Sequence, residues 1–534
     1  MSTYNTLLLT DFYKLTHMLQ YSPNIVRMTS YFVPRGSRLT DAGIYRVVFF
    51  GLNAFIKKYL CDEFTTNFFA RPWSTIKREV TETLSNGLGY DVDLIKKTLC
   101  EIKKLHSIGY LPVEINALPE GTLCPMGVPC IELKSTNESV PWAAQAIEPA
   151  LSAALWHPMV SATVARQYAK IAREAYGQTV FWCDSERYKN GMCDFSMRGQ
   201  ESNESAIMSS VAWLTAMNNS STVMARSVIK DVYEDHLLSV VTPVCGLTST
   251  EHSVMTTQAQ IDGGDETGTF ERLFKLYKNI SFAAVCDSYD FWNVLTNILP
   301  RFKKTINERG SRGKFIGVRH DSADPVEAIC GIENAGPDAS WEQKGMVQTI
   351  YELFGGKKND LGFIELNPGI KAVYGDSITI PRAKEIYRRL KEKGFAANCV
   401  SLGVGSFSFQ ALEHGNQLLP YTRDTFQIAC KCTHAVIKDE LRDEKEIFVY
   451  KDPKGFSMKK SHRGLCYVYY SDNNEMIVGL DEFTEKRLAD FKENPGACGP
   501  SLLVPYFKDG ARLCPQKFND IRSKIYESLK ENYD

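Results

Sequence analysis

The sequence predicts an α/β protein: an irregular parallel (β/α) barrel of about seven strands, with an α+β domain built from both ends of the chain. Chain length, a recurring strand-to-loop pattern and a change of pattern in the flanks lead to this prediction. The chain has 534 residues, 44% of them hydrophobic, which is too long for one ordinary domain. We expect residues 1–145 and 431–534 to form the α+β domain and residues 146–430 to form the barrel.

The recurring pattern is a β-prone apolar run that ends abruptly in Asp, Gly, Arg or small polar residues, often before a helical segment. Seven such runs are Thr179–Cys183, Met192–Phe195, Val240–Cys245, Ser281–Cys286, Lys314–Val318, Ile370–Tyr374 and Asn398–Leu402. Continuous apolar runs are typical of parallel strands covered on both faces, and the later spacings suit strand–helix crossovers. An open doubly wound sheet is the alternative fold for the same pattern.

The two flanks have a different pattern. The N-terminal flank combines a helical segment, Asp91–His106, with short strands such as Val113–Leu118. The C-terminal flank contains hairpin-like pieces at Tyr467–Tyr470 and Leu503–Phe507. Both flanks are therefore expected to pack together, with residues 61–90 as a peripheral insertion.

Charge and apolar patterning exclude several classes of protein. Sixty-two basic and 63 acidic side chains leave a net charge of -1, which gives no bulk attraction for nucleic acid or an anionic membrane. The most apolar stretch, Val140–Ala165, contains Glu148, Pro149, His157 and Pro158, so a buried helix is expected rather than a membrane span. Fifteen scattered cysteines and the lack of a signal-peptide pattern predict free thiols and a cytoplasmic location.

Common catalytic motifs are absent, so the candidate residues are those that follow predicted strands. The sequence contains no P-loop, no H-E-x-x-H and no G-x-S-x-G. Asp287, Asp290, Asp321 and Asp376 all follow strand ends, and four acids at one mouth need cations or sugar hydroxyls to satisfy them. Arg319 could bind a phosphate with its forked guanidinium. A solvated loop with a surface ion pair is the alternative.

Three further features could bind a ligand. Gly405 lies in the small-residue loop Gly403–Ser406, where backbone N–H groups could approach a phosphate, although a plain tight turn fits equally well. Phe195 precedes Arg198 by three residues, and an aromatic face beside a cation suits a flat heterocycle. A core Phe with a surface Arg is the alternative. His252 lies among small residues, which indicates an accessible loop.

Taken together, these stretches resemble the nicotinamide phosphoribosyltransferase family of type II phosphoribosyltransferases, from about residue 4 to about residue 528. The matching motifs are Thr10–Lys14, Ser30–Phe32 with Arg35, Asp194–Phe195 with Arg198–Gly199, Glu251–Ser253, Asp287–Asp290, Arg319–Ser322, Gly375–Asp376, Thr422–Asp424, Lys431–Cys432, Lys451–Pro453, and Phe507–Gly510 with Phe518–Arg522. The resemblance implies an enzyme of NAD salvage that makes nicotinamide mononucleotide and pyrophosphate from nicotinamide and phosphoribosyl pyrophosphate (PRPP).

The resemblance also implies a homodimer with active sites at the subunit interface. The pyridine ring would lie between Phe195 and the partner's Tyr13, and ATP would phosphorylate His252, with Mg²⁺ carried by PRPP. His252, Asp287 and Asp321 would be the catalytic residues. The implied contacts with the ring, ribose and 5′-phosphate are Arg198, Asp287, Arg319, Asp321, Gly375, Asp376 and Gly405. The implied contacts with pyrophosphate and ATP are Arg35, Arg423, Lys431, Lys451 and Lys459.

One position leaves the substrate open. Nicotinamide-preferring members of the family usually place an Asp in the loop after the Phe–Arg segment, whereas this chain has Ser221. Serine can accept from an amide or donate to a carboxylate, so nicotinate or dual use is the alternative. Cys193 and Ser406 also depart from the family pattern. A non-catalytic metabolite-binding protein of the same fold is a third hypothesis.

Overall fold

The structure, a computed structural model, describes residues 4–88, 91–180, 186–233, 248–415, 417–439, 441, 443–455, 460–471, 473–480, 501–513 and 516–530. The chain divides into two units. The first unit comprises Met1–Ala162, Val228–Asp235 and Tyr421–Asp534, and the second comprises Thr163–Ser227 and His236–Pro420. The contact boundaries therefore lie at 162/163 and 420/421, where the sequence predicted 145/146 and 430/431.

The first unit is built on a seven-stranded antiparallel sheet that joins both ends of the chain. In spatial order its strands are Glu444–Phe448, Ile428–Lys438, Ile25–Pro34, Ile131–Ser135, Val113–Ala117, Val504–Lys508 and Ala511–Arg512. Ile25–Pro34 pairs with Ile428–Lys438 on one side and with Ile131–Ser135 on the other. This interleaving of N- and C-terminal strands confirms the predicted α+β part.

Smaller elements complete the first unit. Two strand pairs are Arg46–Val48 with Leu123–Pro125 and Cys466–Tyr470 with Met476–Leu480. The α-helices that lie wholly within it are Leu52–Phe55, Trp73–Leu88, Val92–Ile108, Ala143–Ala146 and Phe518–Lys530. Asp91 begins the helix Val92–Ile108 by accepting a hydrogen bond from the Leu94 N–H at 2.9 Å, and Gly109 ends it with a φ of 83°.

The expectation of a peripheral insertion at residues 61–90 is wrong. Ile76, Val80 and Leu84 on the helix Trp73–Leu88 are fully buried. Their four-residue spacing places them on one helix face, which is the pattern of a core helix. The segment is part of the hydrophobic core of the first unit.

The second unit contains a seven-stranded sheet in which every pair is parallel. In spatial order its strands are Asn219–Ser220, Met192–Asp194, Val400–Val404, Ile370–Tyr374, Ile316–His320, Phe282–Val285 and Thr248–Ser249. In chain order, the last strand of this sheet, Val400–Val404, pairs with its first, Met192–Asp194.

This cyclic order distinguishes a barrel from a doubly wound sheet, in which the strand order reverses near the middle. The predicted parallel (β/α) fold is therefore confirmed. Among the residues described, no pairing closes the sheet between Asn219–Ser220 and Thr248–Ser249.

Helices follow most of these strands. Those wholly within the second unit are Asn203–Leu214, His252–Ile261, Thr267–Leu276, Phe291–Asn293, Lys303–Gly310, Pro325–Cys330, Trp341–Lys344, Met346–Phe354 and Ile380–Glu392. Two short antiparallel pairs, Gly356–Lys358 with Ile364–Leu366 and Ala411–His414 with Gln417–Pro420, are added to it. The helices Glu148–Thr179 and Met224–Tyr233 each contain a unit boundary.

The apolar stretch Val140–Ala165 falls largely within the helix Glu148–Thr179, as predicted. Leu155, Met159 and Val160 are buried along it, and Pro158 lies inside it. No helix in the described part of the chain is long and apolar enough to cross a membrane.

Two predicted strands are displaced by two residues. Lys314–Val318 is observed as Ile316–His320, and Asn398–Leu402 is observed as Val400–Val404. Apolarity placed each strand end at the first polar residue, but Arg319 belongs to its strand. A polar side chain is tolerated there because the ends of barrel strands face the mouth.

A third prediction is wrong in its first residue. Thr179 was assigned to a strand Thr179–Cys183 but is the last residue of the helix Glu148–Thr179. Its β-branched side chain suggested a strand, and the tertiary context of a long helix outweighs that propensity. The rest of that run beyond Val180, and the whole predicted strand Val240–Cys245, lie outside the described residues.

Candidate active site in the parallel unit

An arginine–aromatic pair lies at the C-terminal ends of the parallel strands. The Arg319 guanidinium lies 5.3 Å from the centroid of the Phe195 ring. Its Nε and Nη2 donate to Asp321 at 2.9 and 2.6 Å, and both side chains are largely buried. The guanidinium fork is therefore occupied by Asp321 instead of being free for a phosphate. The ion pair holds a flat cation against the ring, which is a rigid platform for a heterocycle.

Two glycines make room for this platform. A Cβ on Gly403 would lie 2.5 Å from ring carbons of Phe195 and 2.9 Å from the Cα of Gly375. A Cβ on Gly375 would lie 2.7 Å from the Arg319 Nε. By contrast, a Cβ on Gly405 would meet nothing within 4 Å, so protein packing does not require glycine there. Gly405 borders open space that a ligand could approach.

That open space is a cavity of about 690 Å³ in the second unit. Six of its lining residues were predicted from the sequence: Phe195, Arg198, Arg319, Gly375, Asp376 and Gly405. The other lining residues are Gly199, Ser377, Ile378, Thr379, Arg382, Ser406, Phe407, Ser408, Glu413, Gly415, Gln417 and Leu418. An aromatic face, a carboxylate and a small-residue loop thus meet in one space, which suits a small molecule with apolar and polar parts.

Asp194 supports the loop that carries Phe195; the sequence placed it in a matching motif but indicated no role for it. Its side chain is fully buried and accepts hydrogen bonds from the Ser196 N–H at 2.8 Å and from the hydroxyls of Ser210 and Ser220 at 2.6 and 2.8 Å. The predicted specificity residue, Ser221, donates its hydroxyl to the Asp194 carbonyl at 3.0 Å. Ser221 is exposed next to this support and is not among the residues that line the cavity.

The predicted catalytic residues form a second cluster at the strand ends. One oxygen of Asp287 accepts from the Asp321 N–H at 2.8 Å and from the Ser322 hydroxyl at 2.6 Å. Its other oxygen is buried without a hydrogen-bond partner and lies 3.4 Å from Nε2 of His252. His252 begins the helix His252–Ile261 and is half exposed. The structure therefore brings His252, Asp287 and Asp321 together.

Asp287 carries a negative charge across the working pH range. Burial raises its pKa, but the neighbouring His320 ring, the Ser322 hydroxyl and the Asp321 N–H outweigh burial and hold the pKa below its usual value. His320 Nδ1 lies 3.5 Å from Asp287 and accepts from the Ser322 N–H at 3.1 Å. We therefore assign the two firm hydrogen bonds to Ser322 and Asp321.

Asp290, the fourth predicted acid, has a different position. Its side chain accepts from the Asn293 N–H at 3.0 Å and begins the short helix Phe291–Asn293. The Asp290 carboxylate is thus explained as the cap of a helix in its own loop.

Glu266 is a buried acid that the sequence did not single out. It is 5% exposed, and its Oε1 has no hydrogen-bond partner. Burial and the nearby charges of Asp265, Asp290 and Asp287 raise its pKa to about 7. The only sequence signal was an acid directly before the helix Thr267–Leu276, which did not predict burial.

Replacing Glu266 with Gln is expected to stabilise the protein increasingly as pH rises. The folded-state pKa of Glu266 exceeds its unfolded value, so its stabilising contribution is present below the unfolded pKa and is lost as pH rises through about 7. A glutamine side chain does not titrate, so its contribution to stability does not change with pH. The difference in melting temperature between the variant and the parent should grow from acidic pH to neutrality and then level off. A difference independent of pH would contradict the assignment.

The predicted phosphate-binding cations lie in the first unit. Arg35 and Lys431 line a cavity of about 210 Å³ together with Tyr31, His462 and Lys460. Burial and the positive charge of Arg423 lower the pKa of Arg35, so these two cations lie near each other. The positive charge of such a cluster attracts anions.

Of the other predicted cations, Arg423 and Lys451 are exposed and do not line that cavity. Lys459 lies outside the described residues. Lys460, which the sequence did not single out, takes part instead. Tyr13 lies on the 3₁₀ helix Phe12–Leu19, is 58% exposed and has its ring 5.1 Å from that of His17.

Comparison with known proteins identifies two matching families and several relatives. Residues 191–479 match the nicotinate phosphoribosyltransferase (NAPRTase) family, and residues 5–96 match the nicotinamide phosphoribosyltransferase N-terminal domain. A nicotinamide phosphoribosyltransferase of Acinetobacter baylyi is 31% identical over 534 residues, covering 98% of this chain and 97% of that protein. One of Mycoplasma pneumoniae is 28% identical, covering 82% of this chain and 92% of that protein.

Two solved structures share the fold at low identity. Human nicotinic acid phosphoribosyltransferase has a TM-score of 0.55 at 14% identity, covering 98% of this chain and 94% of that chain. A nicotinate-nucleotide pyrophosphorylase from Pyrococcus furiosus has a TM-score of 0.53 at 14% identity, covering 98% of this chain and 96% of that chain.

Proposed function

Because this chain belongs to the nicotinamide phosphoribosyltransferase family, we propose that it transfers the phosphoribosyl group of PRPP to the ring nitrogen of nicotinamide in NAD salvage. The products are nicotinamide mononucleotide and pyrophosphate. The observation that carries the proposal is the cavity in which the Phe195–Arg319 platform, Asp376 and the Gly405 loop meet. These groups match the ring, the ribose and the 5′-phosphate of the product.

The reaction places specific demands on these residues. The bond from the anomeric carbon to pyrophosphate breaks, the bond to the pyridine nitrogen forms, and the sugar passes through an oxocarbenium-like state. Nicotinamide is a weak neutral nucleophile, so Phe195 and Arg319 act by orienting its ring in line with the sugar. Asp376 suits the ribose hydroxyls, and its charge favours the developing cation. Mg²⁺ bound with PRPP would supply positive charge for the leaving pyrophosphate, and Asp287 and Asp376 are the oxygen donors that would hold this hard cation.

We further propose that ATP phosphorylates His252. The Asp287 oxygen that lacks a hydrogen bond lies 3.4 Å from His252 Nε2. A proton held on Nε2 by this carboxylate leaves Nδ1 with a lone pair. Nδ1 would attack the γ-phosphorus, the bond to the β-phosphate oxygen would break, and ADP would leave. Alanine at His252 should then remove stimulation by ATP while the basal reaction remains.

A homodimer is part of the same proposal. The partner's Tyr13 would cover the second face of the pyridine ring, which accounts for an aromatic side chain that is 58% exposed. The cation cluster of Arg35, Arg423 and Lys431 would bind pyrophosphate and the triphosphate of ATP. The balanced charge and the scattered thiols support a cytoplasmic location.

Nicotinamide is the preferred pyridine in this proposal, and nicotinate remains the second candidate because Ser221 replaces the selecting Asp. The Ser221 hydroxyl already donates to the Asp194 carbonyl at 3.0 Å. Its lone pairs, and not its proton, are therefore available, and for a ring substituent that reaches Ser221 they would suit the N–H of a carboxamide better than a carboxylate.

Replacing Ser221 with Asp is expected to raise the ratio of kcat/KM for nicotinamide to that for nicotinate by about tenfold. A carboxylate accepts more strongly from the amide and repels the acid. Ser221→Asn adds similar volume without charge and is the matched control, which should leave the ratio near the parent value. An unchanged ratio in Ser221→Asp would mean that this position does not face the ring substituent.

A turnover assay tests the proposed function. The protein with PRPP, Mg²⁺ and equal nicotinamide and nicotinate should form mainly nicotinamide mononucleotide. Predominant formation of nicotinate mononucleotide would favour the second candidate. Binding of either pyridine without product would indicate a non-catalytic binding protein.

A further inference from the structure

The cavity in the second unit is lined by two chemically different groups of residues. Phe195 and Arg319 form an aromatic–cation pair, and Gly375 lies close to Arg319. Ile378, Arg382 and Ser408 line the same cavity and belong to the segments that follow Asp376 and Gly405 in the chain; we call this second group the phosphate end. A nucleotide with its ring on Phe195 and its ribose at Asp376 would therefore direct its 5′-phosphate toward the end at Ile378 and Arg382.

A buried network fixes the backbone of this phosphate end. The Ser408 hydroxyl donates to the Ile378 carbonyl at 3.2 Å. The Tyr168 hydroxyl is fully buried, donates to the same carbonyl at 2.8 Å and lies 2.8 Å from the Ser408 hydroxyl. The network joins the turn after Asp376 to the loop after Gly405, so both are held rigidly beside the cavity.

Arg382 is the cation at this end. It lies in the first turn of the helix Ile380–Glu392, and its Nη1 donates to the Ser377 carbonyl at 2.9 Å. Within the described residues no carboxylate lies within ion-pair distance of it. Arg388 and Arg389 on the same helix both pair with Glu385. Arg382 therefore lines the cavity with guanidinium donors that no carboxylate neutralises.

The hairpin formed by Ala411–His414 and Gln417–Pro420 also lines the cavity and carries a negative charge. Glu413 lines the cavity and accepts from the Thr379 hydroxyl at 2.7 Å. Thr379 is the N-cap of the helix that carries Arg382. Glu413 thus anchors the hairpin to the turn, and its negative charge means that an anion can bind here only if Arg382 offsets it.

We propose that Arg382 binds the 5′-phosphate of the phosphoribosyl substrate and of the nucleotide product. The assignment rests on the proposed function and adds a phosphate-binding residue to it. A guanidinium without a carboxylate partner matches a phosphate monoester in two parallel hydrogen bonds, which lysine cannot reproduce. The backbone of the Gly405 loop contributes N–H donors but no charge, so Arg382 supplies the electrostatic part of phosphate recognition.

Calorimetry tests the proposal by comparing the binding of ribose 5-phosphate with the binding of ribose, which lacks the phosphate. The variants are Arg382→Gln and Arg382→Lys. Arg388→Gln is the matched control, because it is on the same helix but outside the cavity. Losing one charge-assisted pair should weaken ribose 5-phosphate binding by about 10- to 100-fold in Arg382→Gln. Arg382→Lys should fall in between, and Arg388→Gln should match the parent.

Steady-state kinetics separate this role from a structural one. Arg382→Gln should raise KM for PRPP and leave KM for nicotinamide unchanged, which a general loss of folding would not do. If Arg382→Gln and Arg382→Lys bind ribose 5-phosphate as tightly as the parent, the proposal is overturned. A parent that binds ribose 5-phosphate through Arg382 but forms no nicotinamide nucleotide would support this proposal and contradict the proposed function.

Discussion

Replacing Asp287 with Asn is expected to lower kcat/KM for nucleotide formation by about 10²- to 10³-fold and to abolish the ATP stimulation. One carboxylate oxygen accepts from Asp321 and Ser322, and the other faces His252 Nε2. An amide cannot accept at both positions, so it would either lose the strand-end hydrogen bonds or present N–H to His252. Rates of nucleotide formation with and without ATP measure both effects.

Asp290→Asn is the matched control for this substitution. Asp290 lies on the same loop, but its side chain begins a short helix, and Asn serves that position equally well. The control should retain activity within a few-fold of the parent. Because the pKa of Asp287 is held low, the parent should also show no loss of activity from this group as pH falls toward 5. Equal activity of both variants would contradict the role given to Asp287.

Replacing Phe195 with Ala should raise KM for nicotinamide by about 100-fold, because a ring stacked on an aromatic side chain gains on the order of 1–3 kcal/mol. The substitution also removes the surface against which Arg319 is held at 5.3 Å. Steady-state kinetics with nicotinamide varied at saturating PRPP measure the effect.

The control for Phe195 is Phe195→Tyr, which keeps the ring. It should stay near the parent value, because the stacking face is unchanged. KM for PRPP should change much less than KM for nicotinamide in Phe195→Ala, since the Phe195 side chain is proposed to contact the pyridine ring and not the phosphate. An equal rise in both would indicate general collapse of the cavity and would argue against a stacking role.

The order of polar residues along the chain predicted much of this site. Gly375, Asp376 and Gly405 were placed correctly at strand ends, because parallel strands bring their C-terminal ends to one edge of a sheet. The resemblance supplied Phe195 and Arg198 as neighbours in the same cavity. Patterns of strand followed by small or polar residues thus carry real information about where a site forms.

Other parts of the site depend on side-chain direction and could not be read from the pattern. Arg319 was expected to offer its fork to a phosphate, but the strand extends to His320 and directs the fork to Asp321. Arg382 and Glu266 belong to helical segments in which charged residues are ordinarily solvated. Only the tertiary structure shows that one faces a cavity and that the other is buried.

In the fold, too, some elements were predicted from the sequence and others were missed. The strand Ile370–Tyr374 was predicted with its observed bounds, because four of its five residues are apolar and the run ends at Gly375. The helix Trp73–Leu88 was missed as a core element because its many polar residues obscured three apolar positions on one face.

A crystal structure of the protein with nicotinamide mononucleotide tests the central claim most directly. We expect the pyridine ring to lie on Phe195 beside Arg319, the ribose hydroxyls to contact Asp376, and the 5′-phosphate to lie between the Gly405 loop and Arg382. Density for the nucleotide at another site, with the cavity at Phe195 empty, would contradict the account.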